Sequence, residues 1–563
     1  MRILTFFAAL LGAFALAIIG TTPPGAVGAN APAADFSAAR AMEDVRIISA
    51  RPHVTGSPEN AVVRTHIIGR FEELGMEVTA TQGQVPERGL EKMGHWSGTR
   101  PDSLTFTNII ATLPGRDRTK PAVLLMAHHD TVWNSPGAPD DTAGIVSIIE
   151  SLRASSAQGQ LERDVVALIT DAEELGLVGA RQFFAENPLR TRIGAIINVE
   201  ARGGGGRTTL FQTSRNNGNA VKLYANAVGT PGGSSLATFV YEALPNDTDL
   251  TPALEMDVVA YNLSFIGRPG LYHSPKATPD RLDQGSVQDM GQQTLELMRA
   301  LGGAETLPAA QPNRTFFDLF GLVVIHYGAV VGWLLLALTA ALHIFALRTN
   351  TQVLGNTNRL WRSVAASLSV IIGGGGLLYA LNWLSGSTAP NAYYDRLAAT
   401  PMLEVQALLI CIGILAATAP LWAGRKGSVF GVVIALAAQI LAPTTAFIVV
   451  FPLLISGLAT VIAQFTPKPW DAAPKIIGGA LVGGFLLQYG HQLMQGVGPS
   501  IPSLTALLAA LTLPLLGLLI PAVNARKSLG LAILCIFAAT AIALFVRLDP
   551  VADTVADYAS LKG

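Results

Sequence analysis

The sequence is short of cysteine and of charge, and each shortage excludes a class of protein. Its only cysteines, Cys411 and Cys535, lie in long apolar segments of the C-terminal half, so a disulfide framework in the polar half is impossible. Charged residues make up 14% of the 563 positions, and the formal net charge is -1. Because there is no basic excess and no Lys/Arg cluster to neutralise phosphates, the sequence excludes nucleic acid as a partner.

Apolar residues, in contrast, are abundant. Half of the residues are hydrophobic and the mean hydropathy is +0.42, which is too apolar for an ordinary soluble protein. We therefore expect an integral membrane protein. Residues 3–20 carry no charge and follow Arg2, which predicts a signal peptide or an uncleaved anchor within residues 1–24. The small residues of the following GAVGANAPA would permit cleavage, so both interpretations stay open.

Composition divides the rest of the chain into a globular and a membrane part. Residues 35–305 have the composition of one globular domain, and residues 306–318 form a polar linker that contains proline. Residues 319–547 hold eight apolar segments, most of which reach the roughly 20 residues that cross a bilayer core. These segments lie near residues 319–346, 364–386, 402–423, 428–443, 444–464, 476–497, 501–523 and 528–546. Residues 548–563 follow as a tail.

The distribution of Lys and Arg predicts an orientation. If the first segment spans the membrane from a cytoplasmic N-terminus, alternation assigns nine basic residues to cytoplasmic loops and three to the other side. The nine are Arg348, Arg359, Arg362, Arg425, Lys426, Lys468, Lys475, Arg526 and Lys527, and the three are Arg396, Arg547 and Lys562. This bias follows the positive-inside rule when all eight later segments cross the lipid bilayer. It predicts an extracytoplasmic globular domain and tail, in the periplasm of a bacterium or the organelle lumen of a eukaryote.

The globular domain has the pattern of an α/β fold. Buried strands are predicted at residues 107–113, 122–127, 165–170 and 193–199, with helices between them such as 143–154 and 175–187. Polar residues directly follow three of these strands, at His128-His129-Asp130, at Asp171 to Glu174 and at Glu200. Because sites in open α/β sheets form beyond the carboxyl ends of strands, we expect these side chains to share one site.

The residue types after these strands are those of a zinc centre. Zinc takes imidazole and carboxylate ligands, and a pair of ions shares one ligand at a separation of roughly 3.5–4 Å. His128 offers an imidazole, and Asp140 is a short carboxylate in a turn rich in Gly and Pro, which suits bridging. Asp130 is placed to hold the ring of His128 in one tautomer. Of the adjacent Glu173 and Glu174, one can bind metal while the other takes a proton from water.

Five stretches in order give the sequence a family resemblance. AHHD (127–130), SPGAPDDTAG (135–144), DAEELGLVGAR (171–181), INVE (197–200) and YHSPKATPD (272–280) resemble the motifs of the zinc aminopeptidase and glutamate-carboxypeptidase family, peptidase family M28 of clan MH. The resemblance covers about residues 50–290. With apolar segments behind it, the chain most resembles the endoplasmic-reticulum and vacuolar membrane branch. It implies a mixed central sheet with helices on both faces, followed by an all-α transmembrane domain.

The resemblance also implies how the ligands divide between two zinc ions per chain. It assigns His128, Asp140 and Glu200 to one ion, and Asp140, Glu174 and His273 to the other. Many relatives have Asp where this chain has Glu200, although the longer side chain still reaches a metal.

Three further residues have catalytic or supporting roles in this scheme. The resemblance makes Glu173 the general base, and Tyr272 matches a tyrosine that in some relatives hydrogen-bonds the tetrahedral intermediate. Asp130 keeps its role beside His128. His129 stands where relatives often carry an aromatic or apolar residue, so we predict a neighbour of the site and not a ligand.

The predicted function is a membrane-anchored zinc exopeptidase, an aminopeptidase, that hydrolyses peptides on the extracytoplasmic side by metal-activated water. Two alternatives stay open. One is a glutaminyl-cyclase-like acyl transferase, which shares the fold but uses one zinc ion. The other is a transporter or scaffold whose eight-span region works with a peptidase-like sensor domain. The oligomeric state is not indicated by the sequence.

Two remaining features are given simpler interpretations. The tetraglycine run at residues 203–206 lacks the Gly-Lys-Ser/Thr that completes a phosphate loop, so we predict a flexible loop beside the site. His326, His343, Glu404 and His491 are ionisable residues in or near predicted spans, and we expect roles in helix packing or at the membrane interface. Only His326 and His491 lie deep, and neither has an obvious charged partner.

Overall fold

The computed structural model describes residues 2–244, 246–349, 357–386, 396–424, 428–520 and 522–549. These residues form two compact units. One contains residues 22–318 and 322–326 and is an α/β domain, whereas the other contains residues 2–21, 319–321 and those from 327 onward and is helical. The expected fold class, a mixed α/β sheet with helices followed by an all-helical region, is confirmed.

A twisted row of strands forms the centre of the α/β domain. The strands are β1 (Glu77–Gln84), β2 (Thr105–Leu113), β3 (Ala122–His128), β4 (Val165–Thr170), β5 (Ile193–Ala201), β6 (Thr209–Thr213) and β7 (Val259–Phe265). Among the described residues they make one seven-stranded sheet in the order β1-β2-β4-β3-β5-β7-β6. The neighbours β4, β3, β5 and β7 run parallel, while β1, β2 and β6 pair antiparallel. The carboxyl ends of the four parallel strands therefore meet at one edge.

Helices cover both faces of this sheet. After α1 (Arg2–Thr21) of the helical unit come α2 (Ala38–Ile48), α3 (Pro58–Glu73), α4 (Glu87–Ser97), α5 (Gly144–Ser156), α6 (Val178–Glu186), α7 (Gly218–Ala227), α8 (Ser235–Ala243) and α9 (Gln284–Gly302). Every residue of β3 is buried, and alternate side chains enter opposite cores. Leu125 lies in a core with residues of α2, α3, α5 and α9, whereas Leu124 and Met126 lie in a core with residues of α6. Burial on both faces explains the continuous apolar run.

The sequence predicted the centre of the sheet better than its edges. The predicted strands coincide with β2, β3, β4 and β5, and the predicted helices with α5 and α6. The edge strand β1 was not predicted because it has no apolar alternation: its residues EVTATQGQ are exposed or half-buried. The strand β7 carries buried Asn262 and Ser264, which interrupt its apolar run, and Asn262 is satisfied by a 2.9 Å hydrogen bond from its Nδ2 to Gln212 Oε1.

The predicted linker and the start of the first C-terminal segment need correction. Two short strands, β8 (Thr315–Leu319) and β9 (Val323–Tyr327), lie across the boundary that we expected at residue 318, and they form a separate two-stranded sheet. The helix of the predicted segment 319–346 therefore begins only at Ala329. The sequence analysis did not predict these strands because each is only five residues long and contains an ionisable residue, Asp318 in β8 and His326 in β9.

The helical unit continues with α10 (Ala329–Arg348), α11 (Thr357–Leu368) and α12 (Gly375–Leu384). Further helices are Thr400–Ala417, Ala419–Trp422, Val429–Leu441, Phe447–Phe465, Ala472–Val497, Leu504–Leu511, Leu513–Leu519 and Ala525–Leu548. Within the described residues, six helices are long and apolar enough to cross a membrane: Ile3–Thr21, Ala329–Arg348, Trp361–Leu384, Thr400–Ala417, Phe447–Phe465 and Ala525–Leu548.

Each of the eight predicted segments contains helix, but they are not equal as spans. Phe430–Leu441 and Leu504–Leu519 are shorter apolar helices, and Ala472–Val497 is not among the six described helices that meet both length and hydropathy. The number of spans stays a prediction. Arg425, Lys426, Lys562 and the tail after Asp549 lie outside the described residues, so the domain boundaries and the orientation stay predictions as well.

The ionisable residues expected to pack between spans have specific partners. His343 on α10 contacts two other helices. Its Nε2 lies 2.9 Å from Leu453 O in Phe447–Phe465, and its Nδ1 accepts the N–H of Ser428, the residue before Val429–Leu441, at 3.0 Å. His491 does have a charged partner, contrary to our expectation: its Nδ1 lies 3.0 Å from Glu404 Oε2. His326 lies on β9 and not in a span.

The N-terminal helix packs closely along Ala472–Val497 through small residues. A Cβ built on Gly479 would lie 2.7 Å from the Cβ of Ala9, and one built on Gly483 would lie 2.7 Å from that of Ala13. From the other side, a Cβ on Gly12 would lie 2.8 Å from the Cβ of Ala480. Small residues on both helices thus allow the backbones to approach, as in membrane helix pairs of the small-xxx-small type.

Replacing Gly483 with leucine should separate this helix pair, because the added side chain has no room beside Ala13. We expect Gly483→Leu to lower the free energy of unfolding by about 1–3 kcal/mol, the usual cost of overpacking. The measurement is equilibrium unfolding of the full-length protein in detergent micelles. Gly530→Leu is the matched control, since a Cβ at Gly530 meets nothing within 4 Å. Equal effects of both substitutions would contradict the proposed packing role.

Candidate metal centre

Ionisable side chains gather where the parallel strands end. His128 is the last residue of β3, Glu174 follows β4, and Glu200 is near the end of β5. Asp140 lies in the turn between β3 and α5, and His273 follows β7. The five predicted metal ligands therefore converge on one edge of the sheet, and all but the half-buried Glu200 are buried.

The predicted ligands form two groups that share Asp140. In the first, His128 Nε2 lies 3.0 Å from Asp140 Oδ1 and 3.7 Å from Glu200 Oε1. In the second, His273 Nε2 lies 3.2 Å from Asp140 Oδ2 and 2.9 Å from Glu174 Oε1. Within each group the candidate ligand atoms all lie within 4.8 Å of one another. The two oxygens of Asp140 thus face different groups, which is the geometry of a bridging carboxylate.

Asp130 supports both the histidine and the glutamate loop. The acceptor nearest to His128 Nδ1 is the backbone carbonyl of Asp130, at 2.9 Å, whereas the Asp130 carboxylate is 3.5 Å away. That carboxylate instead accepts the backbone N–H groups of Glu173 at 3.0 Å and Glu174 at 3.1 Å. The expected contact with His128 is therefore made mainly by the backbone of Asp130, and its side chain fixes the loop that carries Glu174.

The two other predicted catalytic residues lie beside the ligands. Glu173 precedes Glu174 and is partly exposed. Burial, together with the charges of Glu174 and Glu200, raises the pKa of Glu173 well above its usual range. Tyr272 stacks on the ring of His273 with a centroid distance of 3.7 Å, and the guanidinium of Arg202 lies 5.7 Å from the Tyr272 ring centroid.

The electrostatics of the centre fit divalent cations. Burial disfavours a charge on Asp140, yet the hydrogen bonds from His128 and His273 outweigh it and lower the pKa of Asp140. Burial and the nearby Asp140 raise the pKa of Glu200, although His128 opposes this. Three carboxylates and two imidazoles share this small space. Metal cations would relieve the repulsion among the carboxylates, and imidazole with carboxylate is a donor set that suits zinc.

Several residues around the centre have structural roles that the motifs did not reveal. Asp141 ties the strand end to the turn, because its carboxylate accepts the N–H of His128 at 3.3 Å and that of Gly144 at 3.1 Å. His129 is fully buried, with Nδ1 3.2 Å from Asn60 Nδ2 and Nε2 3.0 Å from Thr107 O. Both ring nitrogens of His129 thus have protein partners, and its place as a neighbour and not a ligand stays a prediction.

Sequence reasoning missed Asp249 because it lies outside every motif. Asp249 is 2% exposed, and one carboxylate oxygen accepts the hydroxyl of Thr170 at the end of β4. Burial, with a smaller contribution from Glu200 and Asp130, raises the pKa of Asp249 to about 7. The nearest signal in the sequence is only its position ten residues before β7.

The fold and the shared carboxylate define an α/β domain with a candidate site for two metal ions. Residues 108–298 match the family model described as peptidase family M28. The chain is similar to endoplasmic reticulum metallopeptidase 1 of Homo sapiens, with 30% identity over 325 residues, which are 54% of this chain and 35% of that protein. It is also similar to the vacuolar membrane protease of Eremothecium gossypii, with 29% identity over 50% of this chain and 29% of that protein.

The chain spans about a third of the length of these curated relatives. Among solved structures, an aminopeptidase from Aneurinibacillus sp. strain AM-1 aligns with 49% of this chain and 95% of that chain, at 15% identity and a TM-score of 0.38.

Changing Asp130 to asparagine should weaken metal binding without removing a ligand. An asparagine retains one acceptor oxygen but turns an NH2 group toward one of the two N–H groups that Asp130 now accepts. We expect the metal affinity to fall about 10–100-fold, as for other supporting partners of metal ligands. The measurement is competition with a chelator of known affinity. The exposed Asp102→Asn serves as control, and an unchanged affinity in Asp130→Asn would refute the supporting role.

The buried Asp249 should destabilise the metal-free fold as the pH rises. Its folded pKa of about 7 lies above its usual 3.8, so the cost of burying its charge is absent below about pH 4 and complete above about pH 7. In chelator-treated protein, Asp249→Asn should therefore gain stability over the unsubstituted protein across this window. Thermal unfolding at several pH values measures the difference. The exposed Asp247→Asn should show none of this trend, and a pH-independent difference for Asp249→Asn would contradict the prediction.

Proposed function

We propose that this protein is a membrane metallopeptidase whose α/β domain hydrolyses peptide bonds with two zinc ions. The observation that carries the proposal is the position of Asp140, whose Oδ1 is 3.0 Å from His128 Nε2 while its Oδ2 is 3.2 Å from His273 Nε2. His128, Asp140 and Glu200 would hold one ion, and Asp140, Glu174 and His273 the other. The match to peptidase family M28 supports this assignment.

Zinc bound there would act as a Lewis acid toward a peptide carbonyl and would lower the pKa of water. The protein supplies the proton transfer. Glu173 is partly exposed beside the ligands, a position that suits a group that receives a proton and returns it to the leaving amine. Tyr272, held by its stacking on His273, is our candidate for a hydrogen bond to the tetrahedral intermediate.

We further propose an exopeptidase, specifically an aminopeptidase, on the extracytoplasmic side of a membrane. The names of the similar proteins, endoplasmic reticulum metallopeptidase 1 and vacuolar membrane protease, support a membrane peptidase. The six described helices that are long and apolar enough to cross a bilayer support multiple spans. The excess of Lys and Arg in alternate loops supports an extracytoplasmic domain.

The second group of donors favours this reading over a one-zinc acyl transferase. A glutaminyl-cyclase-like enzyme needs a single zinc ion, whereas His128 and His273 lie on opposite sides of Asp140 and each has a glutamate beside it. A sensor domain for a transporter would not need a proton acceptor such as Glu173 beside the ligands. Both alternatives are separated from the proposal by the products that form from defined peptides.

Changing Glu173 to glutamine should abolish hydrolysis while leaving the metal centre intact. Glutamine has nearly the same shape but cannot accept a proton, so kcat should fall by about 10²–10⁴. The full-length protein in detergent is assayed on peptides with free and with blocked N-termini, and its zinc content is measured in parallel. Glu186→Gln, an exposed glutamate on α6, should retain full activity.

The outcomes separate the candidate functions. For an aminopeptidase, we expect the unsubstituted protein and Glu186→Gln to cleave only the peptides with free N-termini. We expect two zinc ions per chain in both variants, although Glu173→Gln no longer hydrolyses the peptides. Cyclisation of an N-terminal glutamine with one zinc ion would favour the acyl transferase. Full hydrolysis by Glu173→Gln would contradict the proposed role of Glu173. Protein that binds no zinc and hydrolyses no peptide would contradict the proposed function.

A further inference from the structure

The tetraglycine segment, residues 203–206, is packed and not flexible as the sequence had suggested. Gly203, Gly204 and Gly205 are buried, and Gly206 is half-buried. The segment begins three residues after Glu200, at the point where β5 ends. Four glycines in a buried segment lose more conformational freedom on folding than other residues, so a packing or functional requirement has to account for them.

Beyond the parallel pairing of β5 and β7, the segment makes backbone hydrogen bonds of its own to the chain after β7, with Gly205 and Gly267 opposed in an antiparallel bridge. The N–H of Arg202 donates to Phe265 O at 3.1 Å, and the N–H of Gly205 donates to Gly267 O at 3.0 Å. The N–H of Gly204 also approaches Arg268 O at 3.3 Å. This backbone pairing joins the segment after Glu200 to the segment that leads to His273.

Side chains in the tetraglycine segment would break this approach. A Cβ on Gly203 would lie 2.3 Å from the carbonyl oxygen of Gly267. A Cβ on Gly204 would lie 2.2 Å from Leu271 Cδ1, two residues before His273. The Gly203 contact is with backbone, so the chain at Gly267 would have to move. The Gly204 contact is with the Leu271 side chain, whose Cγ also lies only 3.2 Å from the added atom, so this side chain would have to shift.

The loop is held from the other side as well. Arg268 Nη2 donates to Asp283 Oδ2 at 2.7 Å, and the N–H of Asp283 donates to Gly204 O at 2.9 Å. Both Arg268 and His273 have left-handed backbone conformations, with φ of 51° and 53°. Such residues stay in sparsely populated conformations only where the surroundings fix them.

We propose that the tetraglycine segment positions His273 relative to Glu200 and so sets the second metal subsite, formed by Asp140, Glu174 and His273. The inference rests on the proposed function, because it assigns residues 203–206 a role toward the second zinc ion. Adding one side chain to this segment displaces His273, whereas His128, Asp140 and Glu200 keep their positions on the elements that carry them. The first subsite is then retained and the second is weakened.

The test is Gly204→Ala in the full-length protein, titrated with zinc alone after chelator treatment and in competition with a chromophoric chelator. Gly204 is not among the glycines with positive φ, so the added methyl group acts mainly through Leu271. We expect the second zinc-binding step to weaken at least about 10-fold and the first to change less than about threefold, as for displaced supporting partners of a metal. The matched control is Gly25→Ala, an exposed position without a positive φ where a Cβ meets nothing within 4 Å.

A second variant protects the test from a general loss of folding. Leu271→Ala combined with Gly204→Ala removes the atom that the new methyl group would meet, so the second step should return to within about threefold of its original affinity. Equal weakening of both steps, an unchanged second step or no recovery in the double variant would each overturn the inference. A wild-type protein that binds fewer than two zinc ions would instead overturn the proposed function.

Discussion

The candidate site is constrained by electrostatic repulsion among the carboxylates of Asp140, Glu174 and Glu200, which lie close together and are largely shielded from solvent. Asp140, Glu174 and Glu200 come from three different segments, yet each lies within 4 Å of an imidazole nitrogen. Charges of one sign are costly in a low-dielectric interior unless counter-charges are close. Only an edge where parallel strands end together can bring such distant segments into one small volume, so the sheet topology and the electrostatics of the centre constrain each other.

Sequence reasoning could find the ligands because each belongs to a motif tied to a strand end, as His128 does to β3 and Glu200 to β5. It could not find Asp249, whose loop has no motif. Nor could it predict that the Asp130 carbonyl contacts His128 while the Asp130 carboxylate accepts the N–H groups of Glu173 and Glu174, because these contacts depend on atomic distances. It also misjudged residues 203–206, because composition alone cannot distinguish a free glycine run from one that another backbone packs against.

The helical unit shows the same limit in a different form. Hydropathy located every apolar segment, but it placed the start of the first one ten residues before Ala329, because residues 319–325, LFGLVVI, are apolar and precede the helix closely. Polar residues such as His491 and Gln495 lower the hydropathy of Ala472–Val497, although both hydrogen-bond to Glu404. Pairing between helices is a tertiary property, and a window along the chain does not detect it.

The contact between α1 and Ala472–Val497 has a consequence for how the chain is made. Roughly 450 residues separate Thr21 from Ala472, so the ribosome completes the whole α/β domain before the glycine face that receives the first helix exists. Until then that helix has small residues and no matching neighbour, in keeping with its high exposure on the opposite face, where Leu11 is 74% exposed. The N-terminal helix therefore meets this partner only after one of the last helices has been translated. In a nascent chain that ends before Ala472, the N-terminal helix lacks this partner.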